Sequence, residues 1–273
     1  MLKQRLLTAV VLIPLVVISL LYLPTSIFKW LLAGVVGLAA WEWFAMIGFN
    51  SRSRMLFAVV TLIFTAVIGL FLWIGVLLII AIIVWTLVLL FVGRYAHHTL
   101  PKTAQRWLLQ PVFSLIMATV ALSLFWLSAI HLHATNLGPQ QLLYVLVLVW
   151  LADTGGYFAG KRWGRRPLAK AISPNKTWEG VAGALVLGFI WAMIAYYWGL
   201  SGTLSLSSWL ILSAISLLVS IVGDLFESLF KRSYQVKDSG HLLPGHGGML
   251  DRIDSLIAAV PVFTAGLFYL GTL

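Results

Sequence analysis

The chain has 273 residues, of which 61% are hydrophobic and only 10% charged, and its mean hydropathy is +1.01. Apolar runs of 18 residues or more recur from end to end, which excludes a water-soluble globular domain and marks a polytopic membrane protein. The absence of cysteine excludes disulfides and thiolate metal sites, and the net charge of +10 is accounted for by the topology described next, without a nucleic-acid partner.

Runs long enough to cross a hydrocarbon core of about 30 Å predict nine spanning helices, near 6–23, 27–48, 55–73, 75–93, 107–130, 139–160, 178–200, 207–230 and 252–272. The fold class is therefore all-α, with no soluble domain, linker or low-complexity tract. The first run has the basic start of a secretory signal, but it is too long and no small-residue cleavage site follows, so a retained span is expected. No charge interrupts Met55 to Gly93; this is too long for one crossing, and a break is predicted near Trp73. Seventeen of the eighteen Lys and Arg residues fall on one side of this topology and only Lys29 on the other. That asymmetry predicts the N-terminus inside and the C-terminus outside. Residues 1–137 then form a scaffold of N-terminal helices that can also supply homodimer contacts, and residues 138–273 carry the polar clusters.

The acids number eight: Glu42, Asp153, Glu179, Asp224, Glu227, Asp238, Asp251 and Asp254. Every one falls in an inner loop or the inner third of a span. Glu42 stands alone and is assigned no chemistry; His97, His98, His131 and His133 lie in connecting segments and are expected to be solvated. An ionised residue at the centre of a span costs about 2.5–3.5 kcal/mol, so Asp153 and Asp224 should face the bundle interior and have partners.

Residues 153–180, DTGGYFAGKRWGRRPLAKAISPNKTWEG, contain a near match to a phosphate-binding loop. Arg162 stands where that loop needs Ser or Thr, and the segment ends a helix instead of following a strand, so the loop reading is rejected. Gly156 and Gly160 suit close helix packing. Ser173 or Thr177 should cap the next helix, with Glu179 in its first turn. On the eighth span, Ser213, Ser216, Ser220, Asp224, Glu227, Ser228 and Lys231 fall in one wedge at about 100° per residue. At the start of the ninth, Asp251, Asp254 and Ser255 share a face, where the positive helix end favours anions.

The intervening loop holds Lys231, Arg232, Lys237, Asp238, His241, His246 and Gly245, Gly247, Gly248. Acids, bases and a glycine-rich turn together suggest a divalent cation with anionic oxygen ligands. Hard oxygen donors favour magnesium; His241, His246 and Asp251 match no zinc spacing.

Residues 228–254, SLFKRSYQVKDSGHLLPGHGGMLDRID, resemble the signature of the phosphatidate cytidylyltransferases: a KR pair, a KD pair four residues later, then HGG and DR-apolar-D. DTGGYFAGKRWGR and SPNKTWEG are also similar to segments of that family. The resemblance implies that CTP and phosphatidate give CDP-diacylglycerol and pyrophosphate with Mg²⁺, at the cytoplasmic face of a bacterial inner membrane. Mapped onto this chain, it makes Asp224, Asp251 and Asp254 the expected metal ligands, a second cation being compatible. Lys237 and His246 join them as catalytic candidates. Lys231, Arg232, Arg252, Asp238, Gly247, Gly248, Ser173, Lys176, Thr177, Glu179 and Asp153 are the substrate-binding candidates, and anionic lipid is a further expected contact. A secondary transporter would carry polar residues on to the outer face, and a non-catalytic scaffold would not need eight acids on one side.

Overall fold

The computed structural model describes residues 2–96, 98, 101–240, 242 and 247–272, with the backbone alone for residues 2–9. In chain order the helices are α1 (Leu2–Tyr22), α2 (Thr25–Met46), α3 (Ser51–Phe71), α4 (Ile74–Tyr95), α5 (Lys102–Leu108), α6 (Pro111–His133) and α7 (Gly138–Trp163). A short hairpin of β1 (Pro167–Ala169) and β2 (Ser173–Thr177) follows, then α8 (Trp178–Tyr197), α9 (Leu206–Ser233), α10 (Leu250–Ile253) and α11 (Leu256–Tyr269). Eight helical segments are long and apolar enough to cross a membrane, with α10 and α11 counted as one, and α1 adds the shorter apolar stretch Val10–Tyr22. Each of the nine expected spans therefore has its helix.

The break expected near Trp73 lies at that residue. Leu72 and Trp73 are both extended, and Trp73 opens α4. The indole then lies over Gly75, where a methyl would approach it to 2.6 Å. Trp73 also meets the Phe268 ring edge-on, and the Tyr269 hydroxyl donates to the Gly75 carbonyl at 2.7 Å. The turn between α3 and α4 is thus fastened to the end of α11.

Three local expectations are corrected. The fifth span starts at Pro111 and not at 107, because α5 takes residues 102–108 and proline suits a first helical turn. The 167–177 segment is an antiparallel hairpin, pairing Pro167 with Thr177 and Ala169 with Ser173; Ser173 is a strand residue, and the cap of α8 is Thr177, whose Oγ1 accepts the Gly180 N–H at 3.1 Å. His133 is buried, not solvated: it shares a 2.9 Å hydrogen bond with Thr25 Oγ1, lies 3.1 Å from the Leu20 carbonyl and stacks on Phe28. His97 lies outside the described residues.

Packing uses small residues where helices must approach closely, as expected when no water is available to drive apolar association. Gly155 and Gly183 bring α7 and α8 together so tightly that a methyl on Gly183 would stand 2.7 Å from the Gly155 carbonyl; Gly156 and Gly160 continue the contact toward Gly180 and Thr177. Gly223 does the same for α9 against the α10–α11 break, since a methyl there would meet the Asp254 carbonyl at 2.6 Å. Trp43 of α2 and Trp85 of α4 pack against Phe226 of α9, which ties the N-terminal helices to the C-terminal ones. The Ala171 N–H donates to the Ala96 carbonyl and the Tyr234 hydroxyl to the Leu108 carbonyl. These bonds gather the end of α4, the 163–178 connection, α5 and the residues just after α9 at one end of the bundle, the end rich in Lys and Arg.

Candidate active site

The polar stripe of α9 divides into two parts with different jobs. Ser213, Ser216 and Ser220 are buried and return their hydroxyls to the backbone carbonyls of Trp209, Leu212 and Leu217. Ser213 also meets the Tyr144 hydroxyl at 2.6 Å. This part holds helices together. Below it, Asp224 and Lys231 each have one partner a turn away on α9 and draw another from a different element. Lys176 of β2 donates from Nζ to Asp224 Oδ2, and Ser228 Oγ donates to Asp224 Oδ1 at 3.2 Å. Lys231 Nζ stands between Glu227 Oε2 at 2.5 Å and Asp251 Oδ1 at 2.9 Å. The Glu227 side chain is fully buried and that of Asp251 is 9% exposed. The hairpin thereby brings Lys176 against α9.

Opposite lie residues 238–240 and 247–254. Asp251 accepts the Gly248 N–H at 2.9 Å and the Ser239 N–H at 3.2 Å, so its carboxylate organises the loop as well as pairing with Lys231. Gly247 has φ +80, a left-handed conformation that glycine adopts without penalty, and a methyl there would also press on Asp251. Asp254 lies at the break between α10 and α11, where its Oδ1 accepts the Ser255 N–H at 2.7 Å. α10 is a single turn, but Asp254 and Ser255 keep α-helical backbone angles and the Asp254 N–H bonds the Leu250 carbonyl, so the helical spacing expected for Asp251, Asp254 and Ser255 is kept through the junction with α11. Asp224 still feels the charges of Asp153 and Asp254, and Glu227 those of Asp254 and Asp251.

The structure brings some sequence-predicted residues together and leaves others apart. Lys176, Asp224, Lys231, Asp251 and Asp254 form one charged cluster, with Arg252 exposed at its edge. Asp153, expected to face the bundle interior with a partner, is instead exposed on α7 and makes no ion pair or side-chain hydrogen bond among the described residues, though it lies near enough to Lys176 and Asp224 to feel their charges. Lys237 and Asp238 are exposed on the loop, and Arg232, also exposed, donates only a long 3.4 Å bond to the Ile172 carbonyl. Glu179 accepts the N–H groups of Arg165 and Arg166 at 3.1 and 3.2 Å, fixing the turn that enters the hairpin. Thr177 and Ser173 shape the same segment. His246, with His241 and Gly245, lies outside the described residues. Among the described residues no group of three or more His, Asp or Glu is arranged to hold a metal ion.

Glu42, given no role on sequence grounds, reaches the 247–254 segment from α2. It is 5% exposed, and its Oε2 accepts the Leu250 N–H at 2.8 Å and the Ser239 hydroxyl at 3.3 Å. The signal was its cost: a lone acid in an apolar helix needs partners, but backbone donors leave no trace in composition. Beside it opens a cavity of about 470 Å³, lined among others by Leu38, Trp41, Met46, Arg54, Asp238 and Ser239. Asp224, Lys176 and Lys231 do not line it, so this cavity is distinct from the charged cluster.

Comparison with known proteins agrees with this architecture. The sequence profile of the cytidylyltransferase family matches residues 3–270. The chain is 41% identical to a phosphatidate cytidylyltransferase of Pseudomonas aeruginosa over 273 residues, covering 99% of this chain and 98% of that protein. It is 38% identical to one of Haemophilus influenzae, covering 98% and 99%. A Bacillus subtilis phosphatidate cytidylyltransferase is 45% identical over 127 residues, 45% of this chain and 46% of that protein. With a family profile that runs almost end to end and two relatives at 38% and 41% identity over nearly their whole lengths, the chain belongs to the cytidylyltransferase family.

Proposed function

We propose that this protein transfers CMP from CTP to phosphatidate, releasing pyrophosphate and forming CDP-diacylglycerol, in the charged cleft between β2, α9 and the 238–254 segment. The observation that carries this reading is the meeting of two family-like segments at one point: Lys176 of SPNKTWEG pairs with Asp224, on the helix that leads into the 228–254 signature. A phosphate oxygen of the lipid forms a bond to the α-phosphorus of CTP; the bond from that phosphorus to the bridging oxygen breaks, and its electron pair leaves on pyrophosphate. The attacking oxygen is already anionic near neutral pH, so no strong general base is required. The work left to the protein is to align two polyanions and offset their repulsion.

Lys176, Lys231, Arg232, Lys237 and Arg252 supply the positive charge, and His246 would add a hydrogen bond to a phosphate. Lys176 and Lys231 are held by acids in advance, so their ammonium groups are oriented before substrate arrives. The Gly247–Gly248 turn lets the backbone come close to substrate.

For magnesium, the donor chemistry fits an ion shared with substrate. Glu227 Oε1 is buried without a hydrogen-bond partner among the described residues, and it faces the charge of Asp254, an arrangement that a cation relieves. Magnesium is commonly held by one or two carboxylates together with phosphates and water. Asp224 and Asp254 would hold it, and Asp251 would join them if Lys231 moved to a phosphate. The bound ion would neutralise charge on the CTP phosphates. Seventeen of eighteen basic residues on one side of the topology support a site facing the cytoplasm from the inner membrane, with the same residues resting on anionic headgroups.

The test is turnover of radiolabelled CTP by detergent-purified protein, with and without phosphatidate and Mg²⁺. Labelled CDP-diacylglycerol should form only when both are present. Equal label transfer to diacylglycerol, or uptake by sealed vesicles without turnover, would refute the assignment.

A further inference from the structure

The loop that forms one wall of the cleft is held by a side chain from the other half of the chain. Glu42 lies 208 positions before Leu250, whose N–H it accepts at 2.8 Å, and α10 has no side-chain cap of its own. Ser239 couples this carboxylate to the site: its hydroxyl donates to Glu42 Oε2 at 3.3 Å while its N–H donates to Asp251 at 3.2 Å. Gly248 couples it a second time. Its N–H donates to Asp251 at 2.9 Å, and a methyl on its α-carbon would overlap both the Ser239 hydroxyl and the Glu42 carboxylate that this hydroxyl bonds. Gly240 is packed against the same carboxylate. An unbroken chain of polar contacts thus runs Glu42, Ser239, Asp251, Lys231, Glu227. A buried acid with two loop donors and two glycines cut to its shape does more than tolerate its surroundings; it determines where the loop sits.

We propose that Glu42 is a positioning residue for the transfer reaction, setting Asp251 and Lys231 in register with Asp224 by gripping the 239–250 loop from α2. The inference rests on the reading of the cleft as the cytidylyl-transfer site. Glu42 touches no reacting atom; its effect passes through Ser239, Gly248 and Leu250. Misplacing a reacting array by about 1 Å can cost on the order of 10²-fold in rate, so loss of the grip should fall on kcat more than on the KM for CTP.

The experiment measures kcat, KM for CTP and apparent Tm for the full-length wild type, Glu42→Gln, Glu42→Ala, Gly248→Ala and the Glu42→Ala/Gly248→Ala double variant. Glu42→Gln keeps the shape and one acceptor, and kcat should fall about tenfold, with a larger loss, on the order of 10²-fold, for Glu42→Ala. KM should change much less. Gly248→Ala should be harmful in the wild type and markedly less so in the Glu42→Ala background, because the carboxylate that the methyl strikes is gone and the Ser239 hydroxyl, no longer bonded to it, is free to rotate away. Wild-type kcat in both Glu42 variants, losses that multiply independently with Gly248→Ala, or losses that merely follow a fall in Tm would each overturn the proposal. If Glu42→Ala fails to fold, the comparison of Glu42→Gln with Gly248→Ala decides on kcat against KM alone. A wild type that makes no CDP-lipid overturns the underlying reading and this inference with it, whereas an active wild type with indifferent Glu42 variants overturns this inference only.

Discussion

Replacing Lys231 by methionine removes one ammonium and strands two carboxylates. The side chains of Glu227, Asp251 and Lys231 are 0%, 9% and 14% exposed, so water cannot take over the lost role. Breaking a buried pair from one side costs about 3–5 kcal/mol. Here two acids share one base, and Asp254 adds repulsion to Glu227, which places the loss in the upper part of that range. At about 2 °C per kcal/mol for a chain of this size, the apparent Tm should fall by roughly 8–10 °C. Adding Glu227→Gln should restore about half of this, since Asp251 keeps its bonds from Ser239 and Gly248. Thirteen tryptophans make intrinsic fluorescence in detergent, at one fixed scan rate, a suitable assay. Turnover should be lost in both variants. A Tm within about 2 °C of wild type for Lys231→Met would show that the ammonium does not bridge the acids and would refute the argument. Retained turnover with a lowered Tm would instead confine Lys231 to holding the fold.

Asp224→Asn keeps the shape of the side chain but not the charge that Lys176 and a cation need, so turnover should fall by at least 10²-fold with little change in Tm, because both partners are about a quarter exposed; turnover with unchanged Mg²⁺ dependence would move the metal elsewhere. Cysteines at Arg52, Thr103 and Lys170 should be shielded from an impermeant thiol reagent in intact cells, and ones at Asn136 and Thr203, all exposed in the structure, should be labelled; the reverse pattern would invert the topology. Gly183→Leu should separate α7 from α8 and abolish stable expression, as a side chain there meets the Gly155 backbone; a stable, active variant would show that the glycine contact is dispensable.

The spans were legible because the bilayer imposes a length and a polarity on each, and those are properties of local sequence. Even the break at Trp73 was visible as a run too long for one crossing. The hairpin was not. Its strands have three and five residues and include Pro167, Pro174 and Lys176, so neither alternation nor β-propensity marks them. They are held as strands by pairing and by the Ala171 bond to the end of α4, a tertiary contact. The choice between Ser173 and Thr177 as the cap stayed open for the same reason: both are good caps in isolation, and only the pairing of Ser173 with Ala169 decides for Thr177.

The site was legible in its members and not in its bonds. An acid in an apolar helix is costly wherever it stands, so Asp224, Glu227, Asp251 and Asp254 advertise themselves, and the wedge on α9 follows from helical geometry alone. The cost says that a partner exists without saying which one. For Asp224 the partner is Lys176, 48 residues earlier and on a strand; for Glu227 it is Lys231, one turn away. Asp251 takes backbone donors from a loop whose path no periodicity describes. Glu42 is the extreme case, because its partners are an N–H and a serine hydroxyl on the far side of the chain, groups that any sequence supplies in abundance. Reading it as chemically idle treated isolation in sequence as isolation in space. In a membrane protein that step is least safe for an acid, since the same desolvation that makes an isolated acid rare requires the fold to bring it a partner.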